Sequence, residues 1–132
     1  MTGALAHRGP DASGYLMSTH VHLGHRRLAI IDLEQGAQPM QRTVNDNTYT
    51  IVYNGELYNT LELKEELEQL GYHFTTDSDT EVLLVAFIAW GINCTEKLNG
   101  IFAFAVFDAQ NERLTLFRDR LGVKPLFYTQ RI

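Results

Sequence analysis

The sequence predicts an α+β domain built mainly from antiparallel sheets. Strand-like runs open the chain, two helical patterns fill its middle, and strand patterns return at the end without regular βαβ alternation. The run Ile101 to Phe107 is apolar without a break, so it reads as a strand covered on both faces, by helices on one side and another sheet on the other. The chain has 132 residues with 45% apolar side chains, which suffices for one domain, 1–132, with a sizeable core.

The elements follow in order. His7-Arg8-Gly9-Pro10-Asp11 is a loop signature, and Gly14 to Ile31 reads as two or three short strands. Asp32 to Val44 is polar with Gly36 and Pro39, which predicts a loop. Thr48 to Tyr53 alternates and is rich in β-branched and aromatic residues, a strand. It meets Asn54-Gly55, a pair that tolerates positive φ and so predicts a tight turn. Asn59 to Leu70 is an amphipathic helix with Leu63, Leu67 and Leu70 on one face, ended by Gly71. Tyr72 to Thr75 predicts a short strand. Asp79 to Trp90 is apolar on most sides, hence a buried helix, and Ser78 to Glu81 has capping-box spacing at its start. Ile101 to Phe107 and Leu114 to Phe117 form a hairpin, and Leu126 to Tyr128 is a last strand.

Composition excludes several classes. A net charge of −5 and a pI near 5.4 speak against nucleic acid or an anionic membrane as the main partner. The longest apolar stretch, Val82 to Trp90, is far short of the roughly 18 residues of a membrane span. Cys94 is the single cysteine, so no internal disulfide forms, and a reducing, cytoplasmic setting is expected. Met1 to Ala6 lacks the basic and apolar regions of a signal peptide. His20-Val21-His22 has the look of an exposed strand pair, and no metal site is expected.

Four places carry polar groups that packing does not demand: Arg27, Asn54-Gly55-Glu56, Asn59 and Asp79. Each has an ordinary reading: an exposed strand residue, a turn, and two helix caps. Taken together they describe a ligand. An arginine suits a carboxylate, Glu56 and Asp79 suit an ammonium, and Asn59 with the Gly55 amide suits an oxygen. A zwitterionic amino acid with an amide side chain satisfies all of these.

Six ordered motifs span the chain: His7 to Asp11, His25 to Ile30, Asn54 to Asn59, Ser78 to Glu81, Gly100 to Phe104 and Arg118 to Tyr128. They resemble the glutaminase domain of glutamine-hydrolysing asparagine synthetases, a class II glutamine amidotransferase domain of the N-terminal-nucleophile hydrolase fold. The resemblance implies an αββα sandwich of mainly antiparallel sheets. It implies that Arg27 holds the α-carboxylate of L-glutamine, and that Glu56 and Asp79 hold the α-ammonium. Asn59 and Gly55 would form the oxyanion hole, Asn54 would position substrate, and backbone around Leu28, Ile30 and Ile31 would line the pocket. It implies no cofactor for this chain. ATP and Mg would serve a synthetase domain of the parent, which accepts the ammonia.

In that family the nucleophile is an N-terminal cysteine whose α-amino group is the base. This chain begins Met1-Thr2-Gly3, so the resemblance implies an N-terminally truncated domain without glutaminase activity. Cys94 has no α-amino group beside it, and Thr2 precedes no strand run. The competing reading is a non-catalytic amino-acid-binding or protein-interaction module derived from the fold. A sheet without its first strand leaves unpaired backbone at an edge. A homo-oligomer joined through that edge, or a rearranged N-terminal segment covering it, is therefore expected, and sedimentation at micromolar concentration checks it.

Overall fold

A computed structural model describes residues 2–27 and 36–131. It opens with a 3₁₀ turn, Thr2–Leu5, followed by the antiparallel ribbon β1 (Ala12–Met17) and β2 (His22–Arg27). A four-stranded antiparallel sheet follows, in the order β3 (Met40–Val44), β4 (Asn47–Leu57), β5 (Gly100–Asp108), β6 (Arg113–Arg118). Two helices, α1 (Thr60–Gln69) and α2 (Asp79–Trp90), and a 3₁₀ stretch, Gly91–Glu96, lie between β4 and β5.

The core forms between the helices and one face of this sheet. Side chains alternate along a strand, so Ile51, Tyr53 and Leu57 of β4 join Phe102, Phe104 and Val106 of β5 on that face. Leu63 and Leu67 of α1 cover them. So does α2, whose residues Val82 to Ala86 are all buried, as a helix apolar on every side requires. Phe104 stacks on Phe117 with ring centres 4.4 Å apart, and Phe87 meets Phe117 edge-on at 5.8 Å. Ala103, Ala105 and Phe107 are also buried on the opposite face. At the β6 edge of that opposite face, Leu114 and Leu116 stay 44% and 41% exposed.

Several sequence expectations require correction. Asn54-Gly55 does not turn: β4 runs on to Leu57, because β5 continues to pair with it as far as Leu57↔Gly100. Gly55 is there for closeness. A Cβ would lie 2.2 Å from the Ile101 carbonyl oxygen on the facing strand. The stretch expected as a loop up to Val44 contains β3, closed onto β4 by Asn45 and Asp46 at positive φ (50° and 63°), the signature of a two-residue hairpin turn. Leu28, Ile30 and Ile31 lie outside the described residues. Tyr72–Thr75 and Leu126–Tyr128 are not strands, since neither has a pairing partner among the described residues. Leu70 caps α1 and is 58% exposed rather than sharing the buried face of Leu63 and Leu67.

Two buried carboxylates set the corners. Ser78 caps α2 by accepting from the Glu81 N–H at 3.3 Å. The Glu81 carboxylate turns outward to the Thr75 and Thr76 amides (3.0 and 2.7 Å) and to both threonine hydroxyls. Burial alone would raise its pKa, but these donors outweigh it and hold it low. Asp119, just after β6, accepts from the Lys124, Val123 and Phe102 amides at 3.0, 2.9 and 3.2 Å. Those amides, Lys124 first, pull its pKa down to about 2.

These contacts can be tested by substitution. Gly55→Ala forces β4 and β5 apart and should cost about 3 kcal/mol or more in urea unfolding. Asp119 ionises in the folded chain below the ordinary value of about 3.9, so its contribution is present above that value and fades as pH falls toward 2. Asp119→Asn places an NH₂ against backbone donors. The variant should be less stable at pH 7 and show a flatter stability profile between pH 4 and 2 than the parent, as read by thermal melts across that range.

Candidate functional site

A cleft of about 750 Å³ opens between the ribbon, the exposed edge of β4 and the start of α2. Its geometry begins with the ribbon. By the pleat, Gly14, His25 and Arg27 share one face, since Gly14 pairs with His25 and Ala12 with Arg27. Gly14 lets that face close on the chain before β3: a Cβ there would stand 1.9 Å from the Gln38 carbonyl oxygen. The half-buried Arg27 ends β2 with its guanidinium beside Gly36. A Cβ on Gly36 would lie 3.8 Å from Arg27 Nη2 and 3.3 Å from the Ser78 side chain. Arg27 therefore faces the N-terminus of α2.

β4 supplies the next wall. The β3–β4 ladder stops at Met40↔Ile51. Two residues further, the Tyr53 N–H donates to Gln38 Oε1 (2.5 Å) and the Tyr53 carbonyl accepts from His25 Nε2 (3.1 Å). Backbone groups of a strand repeat with period two, so the Gly55 amide points to the same edge, beyond the end of β3. Asn54 and Gly55 both line the cleft, and the Asn54 side chain is exposed to it.

Asp79 is the first residue of α2 and accepts from the Tyr53 hydroxyl at 2.9 Å. Ser78, not Asp79, is the cap. Burial and the Asp79 charge push the Tyr53 phenol far up, so it stays a donor. Burial lowers the His25 pKa; its bond to the Tyr53 carbonyl opposes that and the Arg27 charge adds to it. The ring is thus neutral at pH 7, with the proton on Nε2 because a carbonyl only accepts. Among the described residues, Arg8, Arg26, Arg27 and Lys124 line the cleft against the single acid Asp79. An acidic chain of net charge −5 thus holds a cationic cleft, suited to an anionic group beside one ammonium.

Of the sequence-predicted residues, Arg27, Asn54, Gly55 and Asp79 meet in this cleft. Glu56 does not line it. It lies one pleat beyond Asn54 on the same face, exposed, with its charge felt at the Tyr53 phenol. Asn59 does not line it either. It stands at the N-cap of α1 but makes no side-chain cap bond. Its Nδ2 donates to the Lys97 carbonyl at 2.8 Å and its Oδ1 accepts from the Asn99 N–H at 3.0 Å, so the amide brackets the loop before β5. Leu28, Ile30 and Ile31, expected as pocket backbone, are outside the described residues. His25, Gln38 and Tyr53 are site residues that residue-type reasoning missed. His25 sits in one of the six motifs, but nothing local marked Gln38. Cys94 lies elsewhere, wholly buried, and burial pushes its thiol up to about 11.

The whole chain, residues 1–132, matches the family model described as a glutamine amidotransferase domain. It is 55% identical over 98% of its length to asparagine synthetase [glutamine-hydrolyzing] 3 of Bacillus subtilis, of which it covers 21%. It is 39% identical over 93% of its length to asparagine synthetase B [glutamine-hydrolyzing] of Escherichia coli, covering 22% of that protein. Among solved structures it resembles the glutamine phosphoribosylpyrophosphate amidotransferase of B. subtilis, with a TM-score of 0.56 and 33% identity over 66% of this chain and 21% of that one. The fold is thus the α+β, antiparallel-sheet fold of the N-terminal-nucleophile amidotransferases. The chain spans about a fifth of the length of the curated relatives it matches.

Asn59→Ala removes a bracket between α1 and β5, not a wall of the cleft. It should cost about 1–2 kcal/mol in chemical unfolding and increase amide exchange at Lys97 to Asn99, with ligand affinity in the cleft unchanged.

Proposed function

Because the chain belongs to the glutamine amidotransferase domain family, we propose that it is the glutamine-binding domain of a glutamine-hydrolysing asparagine synthetase. The observation that carries this reading is the meeting of Arg27, Asp79 and the Asn54-Gly55 edge in one cationic cleft. The Arg27 fork takes the α-carboxylate of L-glutamine. Asp79, oriented by the Tyr53 hydroxyl, takes the α-ammonium. The Gly55 N–H, at an edge beyond the last rung of β3, donates to the side-chain carbonyl oxygen. The side-chain partner of that donor is Asn54 rather than Asn59, whose amide is committed to Lys97 and Asn99. Donors aimed at that oxygen stabilise the negative charge that develops on it during acyl transfer.

Hydrolysis also needs a nucleophile. Cys94 is buried with a raised thiol pKa, and the Thr2 hydroxyl donates to the Tyr15 oxygen at 2.6 Å. Neither serves. We propose that these 132 residues contribute the glutamine-binding part of the reaction. In the parent, ammonia passes to a synthetase part that uses ATP and Mg to amidate aspartate. No described helix is long and apolar enough to cross a membrane, and we place the parent in the cytoplasm.

Titration calorimetry with L-glutamine tests the reading. Binding should be lost about tenfold or more in Arg27→Ala and in Asp79→Asn, the scale of a charge-assisted hydrogen bond. D-glutamine should bind far less well. Equal affinity for both enantiomers, or indifference to Arg27→Ala, would sink it. No glutamate should be released, with or without Cys94→Ala; release abolished by Cys94→Ala would overturn the assignment of Cys94.

A further inference from the structure

We infer that Gln38 is a positioning residue of the glutamine site: its carboxamide replaces the strand that β3 does not supply at Tyr53, and it couples the Asn54-Gly55 edge to the turn of α2 that carries Asp79. The inference rests on the glutamine reading above and concerns how that site keeps its shape.

Beyond Met40↔Ile51 the β4 edge has no ladder partner among the described residues, yet Tyr53 is only 5% exposed. Its N–H must be met from within the protein. Gln38 Oε1 meets it at 2.5 Å, and Gln38 Nε2 donates to Thr80 Oγ1 at 3.4 Å. Thr80 is 3% exposed and follows Asp79 directly in the first turn of α2. The orientation of the amide is dictated by its partners. An N–H only donates, so the oxygen faces Tyr53 and the nitrogen is left to face the hydroxyl. One planar group therefore joins a strand to a helix. Its own backbone is pinned, because the ribbon closes onto the Gln38 carbonyl at Gly14.

The two ends of the ligand depend on Gln38 unequally. Asp79 has a second tie to Tyr53 through the phenol. The direction of the Gly55 amide instead follows from the Tyr53 backbone two residues earlier. Removing the Gln38 carboxamide frees the Tyr53 N–H and loosens the edge that reads the ligand carboxamide, while the α-ammonium anchor persists.

The experiment compares L-glutamine with L-norvaline, which carries the same α-groups and no carboxamide, by calorimetry on the 132-residue chain. Gln38→Leu should weaken L-glutamine about tenfold, the scale of one unmet buried donor, and L-norvaline by less than about twofold. Thr80→Val keeps the shape, removes the hydroxyl and should act in the same direction more weakly. The double variant should resemble Gln38→Leu, because the two changes share one hydrogen bond. Equal weakening of both ligands would reduce Gln38 to a structural residue and overturn the inference, as would unchanged L-glutamine binding. Should Gln38→Leu fail to fold by circular dichroism, Thr80→Val decides: an unchanged glutamine-to-norvaline affinity ratio overturns the inference. A parent chain that binds neither ligand would instead remove the glutamine reading itself.

Discussion

The arrangement of this domain depends on how one residue, Tyr53, is held. Its N–H, its carbonyl and its hydroxyl go to Gln38, His25 and Asp79 respectively. These partners come from three separate segments: the approach to β3, the ribbon and the start of α2. A strand edge that another strand does not cover must be satisfied some other way, and here side chains do it. The consequence is geometric. The same edge, two residues on, presents the Gly55 amide to a cleft instead of to a neighbouring strand. Had β3 extended past Met40, the ladder would have consumed that amide and closed the cleft.

The carboxylates of the chain divide by what surrounds them. Glu81 and Asp119 are enclosed by backbone amides and hydroxyls, and Asp108 by Asn111 and Asn47. Each is held below the ordinary range against burial, which acts to raise all three. Their charge is spent on fixing a loop or a hairpin turn. Asp79 differs. It meets the Tyr53 phenol, sits half-buried at a cleft wall, and has cationic side chains lining that wall around it. Carboxylates wrapped in donors build corners, whereas Asp79 keeps a face toward the cleft.

The cleft inverts the sign of the molecule. The chain is acidic, but Arg8, Arg26, Arg27 and Lys124 converge from the N-terminal loop, the ribbon and the segment after Asp119. Lys124 is carried there by Asp119, which accepts from the Lys124 amide. Clefts lined with one sign of charge concentrate ligands of the other, which fits the carboxylate of the amino acid proposed to bind there.

Local patterns determined a good deal on their own. The buried helix at Asp79, the Ser78 cap, the end of α1 at Gly71 and the β5–β6 hairpin were legible because each rests on near neighbours or on simple periodicity. Arg27, Asn54-Gly55-Glu56, Asn59 and Asp79 stood out because no core needs their polar groups, and of these Glu56 and Asn59 do not line the cleft. What the tertiary structure decided involves partners distant in the chain. Asn54-Gly55 looks like a turn until β5 pairs across it, and Gly55 proves to be demanded by the Ile101 carbonyl on that distant strand. Asn59 looks like a cap until Lys97 and Asn99 claim both ends of its amide. Gln38 carried no local signal, since its partners, Tyr53 and Thr80, are set by where β3 stops and α2 begins. A side chain's type is written in the sequence, but the donor or acceptor it meets depends on which distant backbone the fold leaves unpaired.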